Sequence, residues 1–238
     1  AVISRVGTDA RGRRLQEFAA AHGVDTRCLQ TDASCPTGTV TVALSAEGQP
    51  TYDFVLDVAW DRLAPSDDAM EAAANAGFFV FGSLASRFES GQQAVVQLAQ
   101  AAAFPVLDLN LRAPFYSADL TRALLECARG VKVNDAEWDQ LCAWFGLTEV
   151  RAFLERFRLD WVCITRGPNG ASFHTAEEEF QVEGVPVTVA DTVGAGDAFL
   201  AGLLSSLAQG LAPAEALERA RAAGAWVASK PGATPALT

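Results

Sequence analysis

Near the C-terminal end, the run Asp191-Thr192-Val193-Gly194-Ala195-Gly196-Asp197 sets two carboxylates and two glycines just before an apolar helical pattern carrying Phe199, Leu200, Leu203, Leu204 and Leu207. Glycine permits backbone geometries closed to bulkier residues, so Gly194, Ala195 and Gly196 can turn consecutive N–H groups toward one point at the positive end of a helix. Phosphate, or another oxyanion, suits that point. A carboxylate at its mouth, Asp197, can accept the proton of an attacking hydroxyl while the amides and the helix dipole bear the charge of a transferring phosphoryl group. A tight Gly-x-Gly turn with Asp197 as an ordinary helix N-cap is the competing reading of the same residues. The run fits neither the Gly-Lys-Ser/Thr ending of a Walker A loop nor the Gly-x-Gly-x-x-Gly turn of dinucleotide sites.

Other polar residues fall where strands should end. Asn134 and Glu137 are three apart at a predicted helix start, where both can face one cleft and organise a hydrated Mg²⁺; the same spacing makes a capping box. Thr165 to Gly170 follows an apolar run, the place where open α/β sheets set their ligands, and also reads as a plain Pro-Asn-Gly turn. Asn110 and Arg112 follow the run Pro105 to Leu109 and are expected on the same sheet edge as Gly194 to Asp197. Both can bind sugar oxygens, and Arg112 can reach a phosphate or lie solvated on the surface.

The elements that must position these residues alternate between short apolar runs and helical patterns, which predicts an α/β fold around a largely parallel sheet. Strands are expected over 1–6, 77–81, 105–109, 130–133, 161–165, 171–174 and 185–190, and helices over 11–22, 89–103, 118–128, 135–145, 148–157, 197–208 and 213–229. One stretch breaks the alternation. The β-rich runs 37–44 and 51–57, separated by Ala46 to Pro50, predict an antiparallel flap, which serves as a lid, a dimer clasp or an edge extension of the sheet. Residues 1–36 and 59–238 then form the α/β body and 37–58 a small inserted β lid.

At 238 residues the chain suffices for one large core, and its net charge of -11 argues against nucleic acid or anionic membrane as a partner. No apolar stretch approaches the roughly 20 residues of a membrane span and no secretory signal opens the sequence, so a cytoplasmic location is expected. Five cysteines without a Cys-x-x-Cys pair make structural zinc a poor fit, and Cys163 in an apolar run reads as a buried thiol. His22 and His174 have no evident partner in the sequence.

The run Asp191 to Asp197, continued by Ala-Phe-Leu-Ala-Gly202, resembles the C-terminal signature of the ribokinase or PfkB carbohydrate kinases. Further matches follow in family order: Arg5-Val-Gly-Thr-Asp9 with Gly12, Gly23 to Thr26, Pro36 to Thr39, Asp108-Leu-Asn110-Leu-Arg112, Lys132-Val-Asn134-Asp-Ala-Glu137, and Thr165-Arg-Gly167-Pro-Asn-Gly170. The resemblance implies a ribokinase-like three-layer α/β/α sandwich with a mostly parallel sheet and a small β lid. It also implies an ATP- and Mg²⁺-dependent sugar kinase, with Asp197 as base and Gly194, Ala195 and Gly196 as anion cradle. Asn110, Arg112, Thr39, Tyr52 and Phe54 are expected on the sugar side, the last three equally readable as core packing. Lys132, Asn134, Thr165, Gly167, Gly170, Ala223 and Gly224 are expected on the nucleotide side, and Asn134, Glu137 and Asp191 around the metal.

The loop Lys230 to Thr234 resembles the region closing the adenine side and a monovalent-cation site, with K⁺ the expected ion. The segment Asp108 to Tyr116 resembles the fructokinase-like branch most, so fructose is the first acceptor; 2-keto-3-deoxygluconate and ribose are alternatives. A non-catalytic sugar or nucleotide sensor is the alternative of another class, and a homodimer is expected. Family members usually begin with a strand and a Gly-Gly-x-x-x-Asn sugar-binding segment ahead of the first residues here. An N-terminal portion is therefore expected to be absent from this sequence, leaving unpaired strand backbone.

Overall fold

The computed structural model describes residues 1–44 and 50–236. The chain opens with β1 (Ser4–Gly7), α1 (Ala10–Ala21) and β2 (Leu29–Asp32), then the flap strands β3 (Val40–Leu44) and β4 (Pro50–Phe54). α2 (Asp67–Asn75), β5 (Phe79–Gly82), α3 (Glu89–Ala101), β6 (Pro105–Asp108), α4 (Ala118–Leu125) and β7 (Gly130–Asn134) follow. The remainder is α5 (Asp135–Phe145), α6 (Val150–Phe157), β8 (Trp161–Thr165), β9 (Ala171–His174), β10 (Glu179–Val182), α7 (Ala195–Ala208) and α8 (Pro213–Ala228).

Strands β5 to β8 are parallel and β9 and β10 run antiparallel, in the spatial order β10-β9-β8-β7-β6-β5. Side chains alternate across a strand, and here both faces are apolar because both are covered by helices. Leu107, Val131, Val133, Val162 and Ile164 pack with Leu124, Leu125, Leu141 and Phe153 on the side of α3 to α6. Val106, Trp161 and Cys163 meet Phe199, Leu203, Leu217 and Ala220 of α7 and α8 on the other. The result is the three-layer α/β/α sandwich of the ribokinase fold.

Three elements were not anticipated. β2 (Leu-Gln-Thr-Asp) and β10 (Glu-Phe-Gln-Val) are four-residue edge strands, half polar and too short for a clear pattern. α2 buries only Ala69 and Ala73, so its apolar stripe is thin, although Ser66 caps it by accepting from the Ala69 amide. In the other direction, 185–190 is no strand. Ala190 and Asp191 N–H donate to the Ala228 carbonyl at 2.9 and 3.3 Å, which ties this extended segment to the end of α8 instead of the sheet.

β1 was expected in the main sheet but pairs in parallel with β2 as a separate two-stranded sheet. The outer edge of β5 has no backbone partner among the described residues. A cleft of about 580 Å³ lies between the two sheets, lined by Ile3, Phe79, Phe81, Val95 and Leu98. The flap is a third sheet, with Val40 opposite Phe54 and Val42 opposite Tyr52. The predicted spacer 46–50 falls mostly on residues outside the described ones, and so does the side chain of Tyr52.

Candidate active site

Gly194 adopts φ 80°, ψ -7° and is the N-cap of α7. A Cβ there would stand 2.5 Å from the Ala233 carbonyl oxygen, so glycine is required by both dihedral and space. The helix begins two residues earlier than its sequence pattern suggests, which puts Asp197 in the first turn and removes the reading of Asp197 as N-cap. Ala195 N–H donates to Thr192 O at 3.3 Å, whereas the amides of Gly194, Gly196 and Asp197 have no hydrogen-bond partner among the described residues. Unpaired N–H groups at a helix start form a ready anion site. The Asp197 carboxylate beside them is exposed.

The β6-β7-β8 register places Asp108 opposite Lys132 and Lys132 opposite Cys163, on the α7 side of the sheet. Lys132 Nζ binds Asp108 Oδ1 at 3.0 Å, both side chains nearly buried, and a Cβ on Gly196 would lie 3.0 Å from that ammonium. An ammonium at the positive end of a helix is unfavourable unless anions face it. Burial pushes the Asp108 carboxyl up, Lys132 opposes this, and the charges of Glu137 and Asp197 push it further up. Asp108 alone pairs with the ammonium, and Glu137 and Asp197 lie within electrostatic reach of its carboxylate. Asp108 was quoted in the sequence motif but given no role; its signal is a charged residue at the end of an otherwise apolar strand.

Asn134 caps α5. Its Oδ1 accepts from Glu137 N–H at 2.8 Å while Glu137 Oε2 accepts from Asn134 N–H at 2.9 Å. Glu137 Oε1 accepts from Leu111 N–H at 2.8 Å, pinning the loop after β6. Asp191 lies in another neighbourhood, accepting from the amides of Val193 at 2.9 Å and Gly232 at 3.2 Å. The capping box is thus formed, and no cluster of three or more His, Cys, Asp or Glu groups suited to a metal exists among the described residues. Direct coordination by Asn134, Glu137 and Asp191 together does not fit this geometry. With both Glu137 oxygens already accepting backbone N–H groups, the Asn134–Glu137 pair suits a hydrated ion brought in with its phosphates.

A cavity of about 570 Å³ adjoins the start of α7. Thr165, Gly167, Gly170 and Gly224 line it, with Thr192, Ala195 and Gly196 where it meets the helix start. Val185, Pro186, Val187 and Val189 form a wall the sequence reading assigned to a strand, and Arg221, Ala225 and Ala228 complete it from α8. Val189 is 59% exposed, an apolar side chain available to cover a flat ring. Ala223 is corrected: it is absent from this lining and faces α7, where its Cβ would lie 3.2 Å from a Cβ on Gly202. That is helix packing, which small residues serve equally well.

In the loop after β6, Asn110 is exposed with φ 42° and its carbonyl accepts from the Ser83 hydroxyl at 3.3 Å. Arg112 is half-buried, and Nη1 donates to Leu111 O at 3.1 Å. Thr39 stands at the flap root, its carbonyl accepting from Val55 N–H at 3.3 Å. Phe54 is buried and meets Phe115 edge-on at 6.1 Å. The early motif is structural: Asp9 accepts from the Thr37 hydroxyl at 2.7 Å, the Thr37 amide at 2.8 Å and the Gly12 amide at 2.9 Å. Among the remaining candidates for chemistry, the Cys163 thiol is pushed up to about 12 by burial, as a core thiol should be.

The chain belongs to the pfkB carbohydrate kinases: the family model described as pfkB family carbohydrate kinase matches residues 1–238. It is similar to aminoimidazole riboside kinase of Salmonella typhimurium, 28% identical over 249 residues covering 99% of this chain and 78% of the relative. It is similar to probable fructokinase-6, chloroplastic, of Arabidopsis thaliana, 31% identical over 256 residues covering 100% and 67%. An uncharacterised sugar kinase from Pyrococcus horikoshii, solved in complex with ATP, superposes with TM-score 0.83 at 26% identity, covering 97% of this chain and 77% of that one. No helix among the described residues is long and apolar enough to cross a membrane.

Proposed function

We propose that this sugar kinase transfers the γ-phosphoryl group of ATP to a primary hydroxyl of a small sugar, with fructose yielding fructose 6-phosphate as the first candidate. The observation that carries the reading is the tip of α7, where three unpaired amides, an exposed carboxylate and the Lys132 ammonium converge. ATP lies along the Thr165 to Gly170 side with its adenine between Val189 and α8 and its γ-phosphate on the amides of Gly194, Gly196 and Asp197. Asp197 accepts the hydroxyl proton; the freed oxygen attacks the γ-phosphorus, and the bond to the bridging oxygen breaks to release ADP. The amides and Lys132 bear charge that grows during transfer, which lowers the barrier and not merely the Michaelis constant. Mg²⁺, held through its water shell near Asn134 and Glu137, supplies charge neutralisation on the phosphates.

Asn110 and Arg112 orient the acceptor, and the β3-β4 flap closes over it through Thr39, Tyr52 and Phe54. Arg112 also suits a sugar-acid carboxylate, the case of 2-keto-3-deoxygluconate. A ribosidic acceptor is the second reading, favoured by the similarity to aminoimidazole riboside kinase. The same flap, a separate two-stranded sheet, serves as the clasp of a homodimer, and a monomeric mass in solution contradicts that part alone. The test of function is ADP release measured with ATP and Mg²⁺ across fructose, ribose, 2-keto-3-deoxygluconate and aminoimidazole riboside. Turnover with fructose in clear excess supports the first reading, and preference for the riboside replaces it. No turnover with any sugar or nucleoside leaves the non-catalytic sensor.

A further inference from the structure

Arg87 follows β5 and the short turn Leu84–Ser86, and none of the site roles above includes it. Its side chain is 0% exposed. Nε and Nη2 fork onto the two Asp61 carboxylate oxygens, each at 2.7 Å, and Nη2 also donates to the Val55 carbonyl at 2.7 Å. The guanidinium carbon lies 5.0 Å from the ring centre of Phe115, 5.4 Å from Trp60 and 5.5 Å from Phe88.

These partners come from separate segments. Val55 directly follows β4, the returning strand of the flap; Trp60 and Asp61 belong to the short turn Ala59–Arg62; Phe115 lies in the loop that carries Asn110 and Arg112. The outgoing flap segment enters the same knot. Val55 N–H donates to Thr39 O, and Gly38 presses on Trp60 so closely that a Cβ would stand 2.8 Å from the indole ring. Phe54 in turn packs on Phe115.

Desolvating a guanidinium and a carboxylate is expensive, and apolar side chains of similar volume stabilise such a site as well or better. Nη1 is moreover buried with no hydrogen-bond partner among the described residues, an arrangement that stability alone would not select. What an arginine offers uniquely is a planar fork that engages Asp61 and the Val55 carbonyl together while facing aromatic rings. We propose that Arg87 is a positioning residue of the acceptor site, clamping the root of the flap to the Asn110–Phe115 loop so that both present one pre-shaped wall to the sugar. This rests on the kinase reading and deepens its acceptor end.

Two variants test it. Arg87→Lys keeps the charge but cannot span both acceptors, and Arg87→Met/Asp61→Leu removes the ion pair as a unit, leaving no buried carboxylate unpaired. The double variant also frees the Val58 amide, which donates to Asp61 Oδ2 at 3.2 Å, so it is expected to melt slightly below wild type, while in both variants KM for the sugar rises by about tenfold and KM for ATP stays within about twofold. Hydrogen exchange at the Val55 amide is expected to accelerate in both. A double variant that regains wild-type sugar KM together with its melting temperature would reduce Arg87 to a fold-stabilising residue and overturn the proposal, as would unchanged exchange at Val55. A wild-type protein that phosphorylates no sugar sinks the kinase reading by itself; the Val55 exchange rate still decides the clamp.

Discussion

The two ends of the proposed active site are built differently. At the phosphate end, one continuous run from Asp191 to Asp197 supplies the carboxylate, the turn and the amides, and backbone geometry fixes them: the left-handed Gly194, the first turn of α7, and parallel strands whose register aligns Asp108 with Lys132. At the acceptor end, three segments contribute one or two residues each, and side-chain hydrogen bonds brace them, from the Thr37 amide to Asp9 and from Arg87 to the Val55 carbonyl among them. A site made of backbone tolerates little change and little movement. One made of side-chain clamps can move with its ligand and can be retuned for a different sugar by few substitutions, in keeping with relatives named for fructose and for a riboside at similar identity.

The contrast predicts effects of different kind and size. Asp197→Asn strikes the phosphate end and should lower kcat by about a thousandfold with KM values and melting temperature nearly unchanged, measured by steady-state kinetics and calorimetry. Turnover near wild type would remove Asp197 as the base. Glu137→Gln acts at the joint between the ends, because one of its two oxygens, now serving Asn134 or Leu111, becomes a second donor facing an N–H. The expected loss is about 1–3 kcal/mol of stability, read in a denaturant titration, with sugar KM raised more than ATP KM. Equal rises would show that the loop after β6 does not depend on this contact.

The smallest effect concerns acid. Hydrogen bonds from the Thr37 amide, the Gly12 amide and the Thr37 hydroxyl hold the Asp9 carboxyl down at about 2, below its ordinary 3.8. Hydrogen bonds from the Ser34 hydroxyl and amide, with the Arg5 charge, do the same for Asp32. Both pKa values are depressed in the folded state, so their contribution is complete above about pH 4 and disappears as pH falls toward 2. The melting temperature should decline across that window, and Asp9→Asn should flatten part of the decline. An identical slope in the variant would separate the flap root from this carboxylate.

The same contrast explains what could be read in the sequence. α5, β8 and β9 lie where their patterns place them, because Asn134 and Gly146 mark the ends of α5, β8 is an apolar run, and the Pro-Asn-Gly turn marks the start of β9. The turn proposed as an anion cradle was legible as a turn and helix start since its residues are contiguous. Arg87 was not, because nothing in Ser-Leu-Ala-Ser-Arg-Phe-Glu-Ser announces that its guanidinium meets Val55 and Asp61 from distant segments. The stretch Val185 to Ala190 misled for the opposite reason: its alternating valines look like a strand, but they line the cavity beside the start of α7. Ala223 and Gly224 differ by one position on α8, and only the packing of α7 decides which of them faces the cavity.

The chemistry assigned to the helix tip is tested most directly by ADP binding with and without tetrafluoroaluminate, a mimic of the phosphoryl group in flight, in the presence of sugar. Wild type should bind the fluoride complex at least about a hundredfold more tightly than ADP alone. In Gly196→Val, whose new side chain enters the space beside Lys132 Nζ, ADP affinity should hold within about threefold while that gain disappears. A gain that survives in the variant would mean the phosphoryl group meets its charge somewhere other than at Gly194 to Asp197.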